Sequence, residues 1–415
     1  MSGVDADLVL ADLRELARLT GGPDGARRVC WTDEWVKARE FLRSRLDELP
    51  VEVTVDPAGN LWADLPGDGD GFVIVGSHID SVPAGGWLDG ALGLFTAVGA
   101  LRAHDGASRP VGLRLVDWAD EEGARFGRSL FGSSACAGTL EVDEVRDLRD
   151  RDGERLEDVV GRHGVDLARA HESGEQLRGA CAYLELHIEQ GPVLESRGEP
   201  AATVLGTCGV ERHVPLFTGQ TAHAGATPMG LRRDSFAAAA QAALAIREVG
   251  FRHDGVCTVG GATSEPSVIT AVAGRTEMLL DQRHLDPDKL AAMRDEARAA
   301  CEQAAADFDC GVEFRHVWSI PPIPFDEGLI ESARAAVREA GGEDTAIPSG
   351  PLHDAAEMAR LIPTVMIFSS SSPPVSHTKE EDTPEPDLRV AIEAYGRTVE
   401  AALERAEAGE LTPHG

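Results

Sequence analysis

Short apolar runs that end in histidine or carboxylate residues constrain this chain more than any other feature. The run 72–76 leads to His78, and the run 111–118 leads to the pair Glu121 and Glu122. A continuous apolar run of this length is typical of a strand buried on both faces. Strands that alternate with helical segments predict an α/β fold with a mostly parallel sheet. Because such sheets bind ligands at the carboxyl ends of their strands, we expect a functional site at that edge.

The length and a change of pattern along the chain predict two domains. A chain of 415 residues is longer than one ordinary hydrophobic core supports. Segment 212–325 has a predicted order like β-α-β-β-α-β, with one further strand, which is typical of a self-contained α+β unit. Its strands are predicted over 214–218, 256–260, 268–272, 276–281 and 312–317. We therefore predict a catalytic domain of residues 1–211 and 326–415, interrupted by an inserted domain.

The composition excludes several classes of protein. A formal charge of -32 disfavours binding to nucleic acid or to anionic membranes, because both attract basic patches. No apolar run reaches the length of a membrane span, and the first residues lack the pattern of a secretory signal. The seven cysteines are scattered without a CxxC motif, which indicates reduced thiols. We expect a cytoplasmic protein that acts on a small molecule.

The chain carries the residue types of a two-metal hydrolytic site. Such a site needs a bridging carboxylate, terminal ligands for each of two ions about 3.5–4 Å apart, and a water molecule. The candidate bridge lies in a glycine-rich turn, and a free carboxylate beside the metal ligands suits a general base. Imidazole and carboxylate ligands without thiolate indicate zinc, or manganese, cobalt or nickel. The predicted ligands are His78, Asp89, Glu122, His187 and His377, with Asp89 as the bridge and Glu121 as the base.

Each of these residues also has an ordinary structural explanation. A single histidine at the end of a strand is more often a structural or surface residue than a ligand. The glutamate pair is also compatible with a solvated loop, and Asp89 with a simple turn. Only the combination of five residues of the right type, all at strand ends or in glycine-rich turns, indicates a metal site.

Seven sequence blocks, spread almost from end to end, resemble a known family. They are GSHIDSVPAGGWLDGALG, DWADEEGARFGRSLFGS, LHIEQGPVLE, TAHAGATPM, DQRHLD, SGPLHDAAEMA and VSHTKEE. The chain resembles the hydantoinase/carbamoylase branch of the di-metal aminoacylase and carboxypeptidase-like peptidases. This branch contains N-carbamoyl-L-amino-acid hydrolases, β-ureidopropionases and allantoate amidohydrolases.

The resemblance implies an assignment for the metal site and for the domains. It places His78, Asp89 and His187 on one metal ion, and Asp89, Glu122 and His377 on the other, with Glu121 as base. It also implies that the inserted α+β domain acts as a lid, that two subunits form a homodimer through their lids, and that the domains open and close.

The resemblance also implies substrate-binding residues. His223 matches a lid histidine that stabilises the oxyanion, and Gln190 matches a residue that contacts the amide or ureido group of the substrate. Arg212 and Arg283 match arginines that bind a carboxylate, which a guanidinium does with two parallel hydrogen bonds. A turn histidine and two surface arginines are the ordinary alternatives. Whether His223 acts in its own subunit or across the dimer stays open.

Two positions depart from the family pattern. Thr270 stands where the family has an asparagine that contacts substrate, and Leu352 stands where it has the glycine before the HDA triplet. A hydroxyl has fewer donors than an amide, and leucine fills space that glycine leaves open. Both changes affect substrate recognition, and neither affects the metal ligands. Of the substrates known for this branch, allantoate is the one that these two changes disfavour most.

These features predict a metal-dependent amidohydrolase that cleaves a linear C–N bond in an N-carbamoyl or related N-substituted amino acid. An N-acyl amino acid deacylase or dipeptidase is an alternative, because it uses the same metal chemistry. An amidohydrolase for a specialised metabolite is another, since the pocket is altered. A binding protein that has lost turnover is disfavoured by the intact ligand set. The chirality of the substrate and the physiological metal stay open.

Overall fold

The computed structural model describes residues 3–415, and these form two compact units. The first unit extends to Gly206 and resumes over Phe325–Gly415, and the second covers Thr207–Pro324. The first unit will be called the catalytic unit and the second the inserted unit.

Helices and strands alternate along much of the chain. The helices are α1 (Ala6–Thr20), α2 (Asp33–Leu46), α3 (Ala91–His104), α4 (Phe131–Ala137), α5 (Val142–Val145), α6 (Leu156–Arg162), α7 (Val193–Arg197), α8 (Ser235–His253), α9 (Pro287–Asp307), α10 (Glu327–Glu339), α11 (Asp354–Met358) and α12 (Glu385–Glu407). The strands are β1 (Gly21–Gly22), β2 (Gly25–Ala26), β3 (Glu52–Val55), β4 (Leu61–Leu65), β5 (Phe72–His78), β6 (Gly112–Trp118), β7 (Ala180–Ile188), β8 (Ala201–Thr207), β9 (Gly209–Thr218), β10 (Ala222–His223), β11 (Val256–Glu265), β12 (Ala271–Val272), β13 (Arg275–His284), β14 (Gly311–Ile320), β15 (Ile323–Pro324), β16 (Ala346–Ser349) and β17 (Thr364–Ser369).

A large mixed sheet forms the centre of the catalytic unit. Its strands follow the order β8-β17-β7-β5-β6-β4-β3. The four central strands, from β17 to β6, run parallel, whereas β8, β4 and β3 pair antiparallel with their neighbours. All nine residues of β7 are buried, as expected for a strand covered on both faces. The prediction of an α/β fold is confirmed, and its parallel part is this central group of strands.

Helices bury the faces of this sheet. Helix α3 is buried from Ala91 to Leu101 because it packs against β5 and β7 on one side and against α1 and α12 on the other. The large aromatic side chains Trp62, Trp118 and Tyr183 are fully buried around the sheet. This rigid core fixes the ends of the central strands, from which the candidate site is built.

The inserted unit is a four-stranded antiparallel sheet with two helices. Its strands follow the order β11-β13-β9-β14, and α8 and α9 pack against them. Phe217, Met278 and Leu280 from the sheet form its core together with small residues of the helices. Whether this unit acts as a lid stays a prediction.

One predicted strand of the inserted unit is wrong in most of its length. The expected strand 268–272 is reduced to β12, Ala271–Val272. The backbone N–H of Ala271 donates to the carbonyl of Val268, which closes a turn instead of extending a ladder. Val268 and Ile269 are exposed, so their apolar side chains contribute no burial that would favour a strand here.

Within residues 3–415, no helix combines the length and the apolar character that crossing a membrane requires.

Candidate metal centre

The carboxyl ends of the central strands bring the predicted residues of the catalytic unit together. His78 is the last residue of β5 and lies opposite Trp118, the last residue of β6. His187, near the end of β7, lies opposite Phe368 of β17. Because parallel strands end at the same edge of a sheet, both histidines and the loop that follows Trp118 reach one place.

Asp89 lies at the centre of this cluster. Its Oδ1 is 3.2 Å from Nε2 of His187 and 3.6 Å from Nε2 of His78. Its Oδ2 is 3.8 Å from Nε2 of His377. The residue after it, Gly90, begins α3 with φ 62°, which glycine adopts at no steric cost. A single carboxylate therefore faces three histidines.

His78 and His187 have the hydrogen bonding that metal-binding histidines need. Nδ1 of His78 lies 3.1 Å from the carbonyl oxygen of Asp80, and Nδ1 of His187 lies 2.9 Å from the carbonyl of Ile188. A ring nitrogen facing a carbonyl carries the proton, so each Nε2 presents a lone pair. Both Nε2 atoms are buried and have no hydrogen-bond partner within the described part of the chain. Two buried lone pairs directed at a carboxylate fit a cation.

A second group of possible ligands shares Asp89. Nε2 of His377 is 3.3 Å from Oε2 of Glu122, and these two residues cluster with Asp89 closely enough to hold one ion. The side chain of Glu122 is 5% exposed, whereas that of His377 is 53% exposed. Gln190 also reaches this group, because its Nε2 donates to Oδ2 of Asp89 at 2.9 Å.

Glu121 lies beside the first group of ligands without belonging to either group. Its Oε2 is 3.8 Å from Nε2 of His78, and the residue is buried. Asp80 fixes the backbone here, since its two carboxylate oxygens accept the N–H groups of Glu121 and Glu122, each at 3.2 Å. One buried carboxylate thus orients both glutamates of the pair.

The cluster is rich in buried carboxylates. Burial raises the pKa of Glu121 well above the usual range, and burial together with the charge of Asp89 does the same to the pKa of Glu122. Burial also opposes ionisation of Asp89, but the proximity of His187 and other histidines lowers its pKa below the usual range. Positive charge at this place would therefore favour the ionised forms of the two glutamates, which fits a site for divalent cations.

Similarity to known proteins identifies the family. The model of Peptidase family M20/M25/M40 matches residues 74–401. The chain belongs to this family.

Individual members of the family are similar over nearly the whole chain. The chain is 34% identical over 399 residues to an N-carbamoyl-L-amino acid amidohydrolase of Geobacillus stearothermophilus. The match covers 94% of this chain and 96% of that protein. The chain is 31% identical over 379 residues to an allantoate amidohydrolase of Escherichia coli, covering 89% and 90%. Among solved structures, an amidase of the hydantoinase/carbamoylase family from Burkholderia multivorans superposes with a TM-score of 0.88 at 31% identity, covering 97% of this chain and 98% of that one. The predicted resemblance to the hydantoinase/carbamoylase branch is confirmed.

Two residues that are predicted to bind substrate, His223 and Thr270, lie together in the inserted unit. His223 in β10 pairs with Ala271 of β12, and the backbone N–H of Ala224 donates to the carbonyl of Thr270 at 2.8 Å. Nδ1 of the exposed His223 accepts from the N–H of Gly225 at 3.1 Å. In the neutral ring the proton is therefore on Nε2, which makes that atom a donor.

The two predicted carboxylate-binding arginines share one acidic residue. Arg212 in β9 lies opposite Asp281 of β13, and its Nε donates to Oδ2 of Asp281 at 2.9 Å. Nε of Arg283 donates to Oδ1 of the same carboxylate at 2.8 Å. The guanidinium of Arg212 also packs over the ring of Trp318. Asp281 therefore orients both guanidinium groups.

Leu352, the departure from the family pattern, precedes a buried histidine of the site. The ring of His353 packs on the ring of His187 with centroids 4.3 Å apart. Burial, and then the neighbouring His187, lower the pKa of His353 well below its usual range. Leu352 is partly buried beside it.

Sequence reasoning missed the residues that support the ligands. Asp80, His353 and Glu381 lie within the seven sequence blocks, yet the sequence pattern assigned them no role. Glu381 is buried and accepts hydrogen bonds from backbone groups of both Asp89 and His377. Spacing along the sequence could have indicated the two acidic residues, because Asp80 follows His78 by two positions and Glu381 follows His377 by four.

Proposed function

We propose that this chain hydrolyses a linear C–N bond in an N-carbamoyl or related N-substituted amino acid, with two divalent cations in each subunit. That the chain is a hydrolase of C–N bonds follows from its family and its amidohydrolase relatives. The observation that carries the finer proposal is the convergence of three histidines on Asp89, with Glu121 beside them.

The proposed ligands are divided between two ions. His78, Asp89 and His187 would hold one ion, and Asp89, Glu122 and His377 would hold the other, with Asp89 common to both sets. The donor set is imidazole and carboxylate, which suits zinc and also manganese, cobalt or nickel. When bound, such ions make water acidic enough to attack a carbonyl carbon near neutral pH.

Glu121 is the proposed general base. The carboxylate of Glu121 is buried near His78, and Asp80 accepts a hydrogen bond from the backbone of Glu121. These contacts define the position of Glu121, which is not among the proposed metal ligands. It accepts a proton from the attacking water and later delivers that proton to the leaving nitrogen. For an N-carbamoyl substrate the water oxygen bonds to the carbonyl carbon and the bond to the amino-acid nitrogen breaks. The products are the amino acid and carbamate, which decomposes to carbon dioxide and ammonia.

The remaining residues are proposed to bind substrate. Nε2–H of His223 is a donor suited to a developing oxyanion, as the family resemblance implies. The amide of Gln190 is proposed to contact the ureido or amide group. Arg212 and Arg283 are proposed to bind the substrate carboxylate, a role supported by their shared orientation on Asp281.

The function is tested with Glu121→Gln. The amide cannot accept the proton, so we expect turnover to fall by about 10²–10⁴-fold while two metal ions stay bound. Ammonia release from N-carbamoyl amino acids and metal content by plasma mass spectrometry are the measurements, with the exposed Glu380→Gln as control. Turnover like that of the wild-type protein would remove Glu121 from the mechanism.

The second candidate function is that of a deacylase or dipeptidase. It is supported by Thr270 and Leu352, the two positions at which the chain departs from the family pattern. Leu352 adjoins the histidine that packs on His187, and Thr270 adjoins the turn of His223. Parallel assays with N-carbamoyl, N-formyl and N-acyl amino acids decide between the candidates. We expect Leu352→Gly and Thr270→Asn to shift the preference towards N-carbamoyl substrates. A wild-type preference for N-acyl compounds contradicts the first proposal.

We also propose a cytoplasmic homodimer formed through the inserted unit. In this unit, α8 exposes Leu244 and Phe251, and the edge strand β11 exposes Val256. Exposed apolar side chains beside an unpaired strand edge are suited to association. Light scattering after size-exclusion chromatography measures the mass, and a monomer at micromolar concentration contradicts this proposal.

A further inference from the structure

Glu381 joins two segments that carry different metal ligands. Its Oε1 accepts the backbone N–H of Asp89 at 3.2 Å. Its Oε2 accepts the backbone N–H of His377 at 3.3 Å and the hydroxyl of Ser376 at 2.9 Å. Glu381 is 1% exposed, so these are the groups that satisfy a buried carboxylate. One side chain therefore contacts the glycine-rich turn and the His377 segment at once.

The packing around Glu381 is specific. A Cβ on Gly86 would lie 2.0 Å from Oε1 of Glu381, so only glycine at position 86 leaves room for this carboxylate. A second contact joins the same two segments, because Nε1 of Trp87 donates to Oδ1 of Asp382 at 3.0 Å. The turn and the segment after His377 are thus held together at adjacent positions.

The histidine ligands differ in how they are held. His78 and His187 lie in the central strands β5 and β7, where backbone ladders fix them. His377 lies in a loop, has φ 59° and has a side chain that is 53% exposed. Sheet hydrogen bonds cannot position it, so its distance from Asp89 depends on side-chain contacts.

We propose that Glu381 is a positioning residue that holds His377 and Asp89 at the distance needed to bind one of the two cations. This inference rests on the proposed function, because it assumes the ligand pair described there. It adds an asymmetry: Glu381 holds two proposed ligands of one ion, Asp89 and His377, but only the shared Asp89 of the other ion, whose two histidines lie in strands. Replacing a residue that hydrogen-bonds to metal ligands typically lowers the metal affinity by about 10–100-fold.

The test is Zn²⁺ binding to metal-free protein, measured by calorimetry and by plasma mass spectrometry at buffered free Zn²⁺. We expect wild-type protein to bind two ions. Glu381→Ala should keep the affinity for one ion within about threefold and weaken the affinity for the other by about 10–100-fold. Glu380→Gln is the matched control, since it removes the same charge from the neighbouring exposed residue, whose side chain makes no hydrogen bond or ion pair within residues 3–415. It should bind both ions normally.

A second variant covers the case in which Glu381→Ala does not fold. Glu381→Gln has one acceptor oxygen, so it keeps the bond to Asp89 or the bonds to the His377 segment but not both. Circular dichroism checks the fold, and the absorption spectrum of Co²⁺-loaded protein reports the geometry of each ion. We expect the spectrum of one ion to change and that of the other to stay.

The outcomes separate this inference from the proposed function. Folded Glu381 variants that bind both ions like wild type overturn the positioning role, and so does an equal loss of both ions. Wild-type protein that binds fewer than two ions refutes the proposed ligand pair itself. Selective weakening of one ion, with normal binding of both ions in the Glu380 control, supports the inference.

Discussion

Replacing Gly90 by alanine tests whether the close approach of the turn to His78 is required for activity. A Cβ at this position would lie 2.4 Å from Cε1 and Nδ1 of His78 and 2.5 Å from Nε2. Ordinary contact begins near 3.4 Å, so the ring or the turn must move by about 1 Å. The ring is 1% exposed and its Nδ1 is bound to Asp80, so little space is open to it. The displacement therefore changes the distance between His78 and Asp89.

The magnitude follows from two separate effects. Gly90 has φ 62° and ψ -46°, a sparsely populated conformation for other residues, so alanine costs about 1–3 kcal/mol there. About 0.4–1 kcal/mol of this is offset because alanine has less conformational entropy than glycine in the unfolded chain. A displacement of about 1 Å in a catalytic group lowers the rate by about 100-fold. We therefore expect Gly90→Ala to lose about 100-fold in kcat/KM, together with part of its metal binding.

Gly106→Ala is the matched control for this prediction. Gly106 has φ 73°, and a Cβ at this position would have no neighbouring atom within 4 Å. The variant also places alanine at a positive φ, but its Cβ meets no other side chain. Urea unfolding, metal content and kcat/KM should be measured for both variants. Hydrolysis by Gly90→Ala within about threefold of Gly106→Ala would refute the reasoning that the contact with His78 limits this position.

Two further predictions concern Asp80 and His213. In Asp80→Asn one of the two N–H groups of the glutamate pair faces an amide donor, which costs about 1.5–3 kcal/mol, and we expect about 10–100-fold weaker metal binding. Metal content and kcat/KM check this, and behaviour equal to that of the exposed Asp143→Asn contradicts it. Burial, and then neighbouring positive groups such as His316, lower the pKa of His213 to about 4. Below pH about 6.5, His213 binds a proton in the unfolded chain but not in the folded protein. The free energy of unfolding therefore falls as the pH drops towards 4, by up to about 3 kcal/mol. Urea unfolding across this range should show a shallower dependence in His213→Gln, and equal slopes would contradict the assignment.

The sequence predicted the elements from which the candidate metal centre is built. Apolar runs with a strand pattern, each followed by a histidine or a glutamate, were enough to predict an α/β fold and ligands at the carboxyl ends of strands. This works because the ends of parallel strands meet at one edge whatever the remaining topology is. The same argument predicted that His78 and His187 lie near each other, and the parallel pairing of β5 with β7 agrees with it.

Tertiary structure decided the parts that depend on contacts between distant segments. The role of Glu381 requires Asp89, 292 positions earlier, to donate its backbone N–H. The antiparallel edges of the sheet and the turn at Val268 likewise depend on which backbone groups find partners. Local pattern reports which face of an element is apolar, whereas hydrogen bonds between remote segments arise only when the chain is packed. The types of the ligands were therefore readable along the chain, but the groups that hold them in place were not.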